Sequence, residues 1–200
     1  MGRTIISLLL FVFLAAPALA QAPVRTETLT PPRITPPVKS AQPNAPLPEI
    51  IRDTSKLPEP VRAMRERILA AARTGDAAKV SAVMKAADAM PVFSFGGEKD
   101  PLEYWKSSYP DSDGIEALSI LVEVLESPYV LLDRGSPQEM YVWPYFVGIP
   151  LAKLTPEQKV ELFKLVTGSD WKEMQEFGAY VFYRVGIGPD GKWQFFVAGD

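Results

Sequence analysis

The sequence contains no cysteine and no histidine among its 200 residues. Without cysteine, the chain forms no disulfide and has no thiolate to hold zinc or an iron–sulfur cluster. Without histidine, it has no imidazole metal ligand and no Ser-His-Asp catalytic arrangement. A metal ion would need carboxylate and carbonyl ligands only, and we expect neither a metal site nor a cofactor.

The chain also has no large excess of charge of either sign. The chain has 21 basic and 24 acidic side chains, a net charge of −3, and no run of lysine or arginine. Proteins that bind nucleic acid neutralise phosphates with clustered basic side chains. We therefore predict no nucleic-acid partner.

The first 20 residues have the layout of a secretory signal peptide. Arg3 precedes an apolar stretch over residues 5–16, and Ala18-Leu19-Ala20 forms a small-x-small cleavage site. The apolar run is short for a membrane anchor, and no stop-transfer charges follow it. We predict cleavage after Ala20 and an exported protein, periplasmic or secreted, with no membrane span after signal cleavage.

Residues 21–60 form a proline-rich segment. Ten of the 20 prolines lie there, with almost no aromatic residues. Such a composition buries too little apolar surface to offset the entropy lost on ordering. It predicts a disordered linker that acts as a spacer, and the PxxP spacing over residues 43–46 adds docking as a less favoured reading.

Residues 61–200 are predicted to form a single α+β domain. The pattern indicates a helical hairpin over residues 61–74 and 77–89, followed by further helices over residues 115–126 and 156–167. Helix starts are expected at the capping residues Asp76, Asp100, Asp113, Thr155 and Ser169. Apolar spacing predicts inward side chains that include Ile115, Val160, Phe163 and Val166. The short helix expected after Ser169 carries Trp171, Met174 and Phe177.

Short strands are predicted over residues 92–95, 129–133 and 140–146, and Pro144 marks the last as an edge strand or a strand end. The final strands form a hairpin around Gly188-Pro189-Asp190-Gly191, a strong turn signal. The expected fold is thus an N-terminal helical hairpin and further helices packed on a small antiparallel sheet that ends in a C-terminal β-hairpin.

The turn predicts a register for that hairpin. If Gly188 faces Lys192, the pairs on one face are Ile187–Trp193, Val185–Phe195 and Tyr183–Val197, all apolar. The other face is mixed, since it carries Gly186 with Gln194, Arg184 with Phe196, and Phe182 with Ala198. An apolar face and a mixed face are typical of a sheet packed on a core from one side.

The candidate binding residues are Tyr141, Trp143 and Tyr145, which share one face of the segment 140–146. An exposed aromatic strip of this kind stacks on sugar rings or contacts a peptide. The alternative, which we favour, is that the three rings pack into the core. Asp133 and Glu139 flank a predicted turn and are the candidate carboxylate pair for glycoside hydrolysis, although solvated turn charges are the commoner arrangement.

Three stretches carry a resemblance to a known family: SPQEMYVWPYF, LTPEQ…LVTGSD and GAYVFYRVGIGPDGKWQFFVAGD. They resemble a family of exported bacterial proteins of unassigned function over residues 57–200. The resemblance implies a bacterial, exported protein and supplies no catalytic residues. The order of helices and terminal hairpin is also similar to the cone-shaped fold of nuclear-transport-factor-like domains, a fold that hosts many functions.

These observations favour a binding or interaction module of the cell envelope over an enzyme. Its expected partner is an envelope protein or a glycan. Two alternatives stay open, namely a carboxylate-dependent envelope hydrolase and a small-ligand-binding pocket protein on the cone-shaped α+β fold.

Overall fold

The computed structural model describes residues 46–199 and confirms the α+β prediction. Within that range, six α-helices pack against a four-stranded antiparallel sheet. The helices are α1 Glu59–Ala72, α2 Ala77–Lys85, α3 Pro101–Ser108, α4 Ile115–Glu126, α5 Pro156–Leu162 and α6 Gly168–Phe177. The strands are β1 Val130–Leu132, β2 Met140–Trp143, β3 Arg184–Ile187 and β4 Trp193–Val197.

The helical hairpin is present as α1 and α2, which contact each other along their length. Gly75 sits between them with φ +71°, a conformation that costs glycine little and other residues more. The Asp76 carboxylate accepts a hydrogen bond of 3.0 Å from the Ala78 N–H and so caps α2, as predicted. Gly75 and Asp76 therefore fix the turn, and both roles can be predicted from the sequence.

The predicted caps of α3 and α5 are also confirmed. Asp100 accepts a hydrogen bond of 2.9 Å from the Leu102 N–H. Thr155 and Gln158 form a reciprocal capping box at the start of α5. Both helices begin with proline at the first position, where the missing N–H costs nothing.

The predicted caps Asp113 and Ser169 are wrong. Gly114 precedes α4 and contributes no side chain, while Asp113 has left-handed φ +50° and its carboxylate lies 3.2 Å from Lys106 Nζ. In α6 the cap is Thr167, two residues earlier than predicted, and Asp170 completes a capping box. Several neighbouring residues near each helix start have side chains able to cap it. The sequence pattern alone therefore did not identify the residue at the N-cap.

The sheet order is β1-β2-β3-β4, with every neighbouring pair antiparallel. Pro144 follows β2 through a cis peptide bond and begins a 3-10 turn over Tyr145–Gly148, which confirms that it marks a strand end. The predicted strand over residues 92–95 is reduced to one bridge. Val92 lies parallel to β4, donating to the Gln194 carbonyl and accepting from the Phe196 N–H.

The hairpin register is right near the turn and wrong beyond it. Ile187 pairs with Trp193, as predicted, and the Gly188 N–H donates to the Lys192 carbonyl. A register shift between Gly186 and Ile187 then pairs Gly186 with Phe195 and Val185 with Phe196. Such a β-bulge moves every later side chain of one strand to the opposite face. Phe195 and Val197 therefore lie on the face opposite to the predicted one.

Both faces of the sheet are buried, which corrects the expectation of one mixed face. The first core cluster contains Trp143, Val185, Trp193 and Phe196 together with side chains of α1, α2, α3 and α4. The second contains Phe195 and Val197 together with Tyr145, Leu162 and Met174. Even Arg184 is buried, and its guanidinium donates a hydrogen bond of 2.7 Å to the Gly199 carbonyl.

Residues 46–60 were assigned to the linker from composition, and this boundary is wrong. Ile51 exchanges two backbone hydrogen bonds with Tyr129, and the Ile51 and Leu57 side chains are buried in the first core cluster. A proline-rich chain orders where it gains such burial and pairing. We call residues 46–58 the N-terminal strap, because they precede α1 and are attached to the sheet through Tyr129, next to β1. The rest of the predicted linker and the predicted signal peptide lie outside the described residues.

Candidate functional site

The three aromatic residues that the sequence singles out lie in the interior. Tyr141, Trp143 and Tyr145 are all buried, the arrangement of the core alternative. Tyr129 packs between two of them, with ring centroids 6.1 Å from Tyr141 and 5.1 Å from Trp143. Tyr145 packs on Phe146 at 4.1 Å in the second core cluster. No continuous aromatic strip reaches solvent along this part of the described chain.

The Tyr145 hydroxyl has a specific polar role in that position. It donates a hydrogen bond of 2.8 Å to Glu161 Oε2, and the other oxygen of that carboxylate accepts from Arg52 Nη1 at 2.6 Å. Burial and the bond to Glu161 raise the pKa of the Tyr145 hydroxyl. Burial alone would raise the pKa of the Glu161 carboxyl. The hydrogen bonds from Arg52 and Tyr145 outweigh burial, and the pKa lies below its ordinary value. The ionised Glu161 carboxylate therefore connects α5 to the strap through Arg52, and to the 3-10 turn after β2 through Tyr145.

The candidate carboxylate pair lies in the turn between β1 and β2. Glu139 Oε2 accepts a hydrogen bond of 2.5 Å from the Gly135 N–H, so this carboxylate holds the turn after β1. Asp133 is exposed and begins that turn with φ +49°. Both acids thus serve the turn that separates β1 from β2.

Six carboxyl groups of the described chain have a pKa shifted towards the ionised form. A glycosidase acid needs a raised pKa, so that it keeps its proton near neutral pH. Every carboxyl with a shifted pKa within residues 46–199 has it lowered, mainly by hydrogen bonds to the ionised form: Asp53, Glu98, Asp100, Glu157, Glu161 and Asp190. The same residues include no group of acidic side chains able to hold a metal ion.

An exposed apolar surface lies on α5 and α6. Val160 is 65% exposed and Phe163 is 47% exposed, although both were predicted to point inward. Phe163 meets the half-buried Trp171 edge to face with ring centroids 6.1 Å apart. Lys159 Nζ lies 5.9 Å from the Trp171 ring, within cation–π range. We call Val160, Phe163 and Trp171 the α5–α6 surface.

The two helices that carry this surface are held by local hydrogen bonds more than by burial. α5 buries only Leu162, and α6 buries only Met174. Each begins with a capping box, the strongest local device for fixing a helix start. The rings are therefore presented on preformed helices, at little ordering cost for a partner that binds them.

Sequence reasoning missed this surface because it chose the wrong inward stripe. It placed Val160, Phe163 and Val166 on one buried face of a helix over residues 156–167. In the structure Leu162 and Val166 are buried, whereas Val160 and Phe163 are exposed, and the helix already ends at Leu162. Phe177 is also exposed, at 56%, at the end of α6. The two capping signals at Thr155 and Thr167 bracket both helices and were the available clue.

No helix within residues 46–199 is long and apolar enough to cross a membrane. Comparison with known proteins adds no family to these observations, since no family model, no curated protein and no solved structure matches the chain.

Proposed function

We propose that this protein is an exported interaction module that binds a partner protein through the α5–α6 surface. The observation that carries the proposal is the exposure of Val160 and Phe163 beside Trp171 on two helices fixed by capping boxes. Contiguous exposed apolar side chains on a folded protein mark contact sites, and aromatic residues dominate the binding energy at such sites.

The chemistry at this surface favours a protein partner over a glycan. Sugar-binding sites stack a ring on a flat, open aromatic face, whereas Trp171 is half-buried and already covered by the edge of Phe163 and by Lys159. Charges of both signs accompany the apolar centre, since Glu157 on α5, Lys172 on α6 and Lys164 between the two helices are exposed. An apolar centre within a polar rim is the usual anatomy of a protein interface.

The two rival functions have less support from the described residues. For the carboxylate hydrolase, Asp133 and Glu139 both serve the turn between β1 and β2, and the carboxyl groups with a shifted pKa among residues 46–199 favour the ionised form. The small-ligand binder needs an open interior, and aromatic side chains fill both faces of the sheet. The cone-shaped fold of nuclear-transport-factor-like domains remains a prediction from element order.

The proposal is tested by crosslinking in the envelope fraction of the host. Wild-type protein carrying a photoreactive group at Lys164 is expected to capture one discrete partner. Phe163→Ser combined with Val160→Ser should reduce the captured band by about tenfold, because it removes the apolar centre of the contact. Phe177→Ser is the matched control, since it also removes an exposed ring from the same helix pair. Equal capture by all three proteins would contradict the proposal.

A further inference from the structure

A second surface, at the outer edge of β1, has a different chemistry from the α5–α6 surface. β1 is an outermost strand of the sheet. On its outer side, Ile51 of the strap donates to the Tyr129 carbonyl at 2.8 Å and accepts from the Tyr129 N–H at 2.9 Å. The backbone groups of Tyr129 therefore point away from β2.

The alternation of a β-strand fixes where the next groups point. Successive residues direct their N–H and C=O groups to opposite sides of the strand, so residues two apart share a side. Leu131 thus presents its N–H and C=O outward, beside Tyr129, while Val130 and Leu132 face their β2 partners Val142 and Met140. A strap that continued as a strand would pair Glu49 with Leu131.

The strap leaves the edge before that pair forms. Within residues 46–199, the strap forms one β-bridge next to β1, between Ile51 and Tyr129. Pro48 packs instead against Gly148, where an added Cβ would lie 2.7 Å from Pro48 Cγ. The divergence opens a cleft of about 230 Å³ lined by Pro48, Glu49, Ile51, Leu131 and Arg134. We call this opening the β1 cleft.

The size and charge of the β1 cleft limit what can occupy it. Pockets for whole small molecules usually measure roughly 300–1,000 Å³, so this cleft suits one or two residues of a longer chain. Arg134 has no ion-pair partner among residues 46–199, whereas the other wall residue with a charge, Glu49, lies 3.9 Å from Lys56. The free charge at the cleft is therefore positive and complements a carboxylate.

We propose that the β1 cleft binds an extended peptide segment of a partner, which pairs with the Leu131 backbone and places a carboxylate side chain on Arg134. Strand addition to an open sheet edge takes its affinity from main-chain hydrogen bonds and its specificity from the neighbouring side-chain contacts. Here the main-chain partner is Leu131 and the selecting side chain is that of Arg134. The proposal does not depend on the α5–α6 surface.

The test uses the full mature chain and two short synthetic peptides, acetyl-Thr-Val-Asp-Val-Thr-amide and its counterpart with lysine in place of aspartate. In the free protein, the Leu131 amide should exchange with solvent about tenfold faster than the Tyr129 amide, which is hydrogen-bonded to Ile51. The aspartate peptide should slow that exchange and shift the Leu131 amide resonance. Arg134→Glu should reverse the preference between the two peptides, each by at least about threefold in Kd.

Lys79→Glu is the matched control, since it makes the same charge change at an exposed position on α2 and should leave the preference unchanged. Melting curves of both variants verify that they fold. Acetate at the same concentration serves as the free carboxylate. The proposal is overturned if acetate protects Leu131 as well as the peptide does, if the peptide binds without affecting Leu131, or if neither peptide binds at millimolar concentration.

Discussion

Trp193 offers the sharpest test of the core that the sheet builds. The side chain is 2% exposed and lies in the first core cluster, opposite Ile187 in the hairpin. Its indole N–H donates a hydrogen bond of 2.9 Å to the Phe195 carbonyl, across the bulge. The ring therefore fills the core and also donates a hydrogen bond to the backbone of its own strand next to the register shift.

Two substitutions separate these contributions. Trp193→Ala empties a large aromatic site and should lower the free energy of unfolding by about 3–5 kcal/mol. Trp193→Phe keeps most of the apolar ring but removes the N–H, and should cost about 0.5–1.5 kcal/mol, because the hydrogen bond from the indole to the Phe195 carbonyl is lost. At about 2–4 °C per kcal/mol for a domain of this size, the alanine variant should melt roughly 6–20 °C below wild type.

Urea unfolding followed by circular dichroism measures both values, with Lys192→Ala as the neighbouring control. Lys192 is exposed and pairs only with the exposed Asp190, so its loss should change stability by less than about 0.5 kcal/mol. If Trp193→Ala stays within about 1 kcal/mol of wild type at an unchanged m-value, the ring is not part of the core. Equal losses for the alanine and phenylalanine variants would refute the separation between packing and hydrogen bonding.

Two further predictions concern the sheet and the strap. Gly186→Ala should destabilise the fold by about 1–3 kcal/mol, because the added Cβ would lie 2.5 Å from Met140 Sδ and from the Phe195 ring. Gly168→Ala, whose Cβ meets nothing within 4 Å, should cost nothing in the same thermal melt, and equal losses at the two sites would contradict the packing argument. Glu161→Gln should lower stability at pH 7, because the lowered pKa of Glu161 means that folding favours its ionised form. That difference from wild type is complete above the ordinary carboxyl pKa near 4.5, shrinks as the pH falls through the folded-state pKa, and is checked by urea unfolding from pH 7 to pH 3. A difference that stays constant over this range would show that the carboxylate charge is not what holds the strap.

Local signals in the sequence were enough for the parts of the fold that depend on neighbouring residues. Asp76, Asp100 and Thr155 cap their helices as predicted, because a cap needs only a side chain and the next backbone N–H groups. The turn at Gly188 and Gly191 and the Ile187–Trp193 pair follow from turn chemistry alone.

Features that depend on contacts between distant parts of the chain could not be predicted from neighbouring residues. The bulge beyond Ile187 coincides with the bridge from Val92, a residue about a hundred positions earlier in the chain. Two adjacent large apolar residues, Phe195 and Phe196, interrupt the alternation expected of a strand and indicate a bulge. They do not indicate which of the two rings faces which side of the sheet. Ile51 and Leu57 were likewise hidden in a proline-rich context, since their burial depends on Tyr129 and the helices.

The candidate site was harder to predict than the fold. Aromatic spacing drew attention to Tyr141, Trp143 and Tyr145, which the structure buries. The exposed apolar side chains lie instead on and beside α5 and α6, including Val160, Phe163 and Phe177. Both Val160 with Phe163 and Leu162 with Val166 have helical spacing, so the sequence alone does not decide which pair faces the core.

The position of the hairpin in the chain has a consequence for synthesis. β3 pairs with β2, and β4 receives the bridge from Val92, yet both strands are made after every other element of the described fold. At about 5–20 residues per second, a ribosome needs roughly 5–20 s to pass from Val92 to Val197. During that time the aromatic faces of the earlier elements have no sheet to close them. The core therefore closes only after β4 has been made.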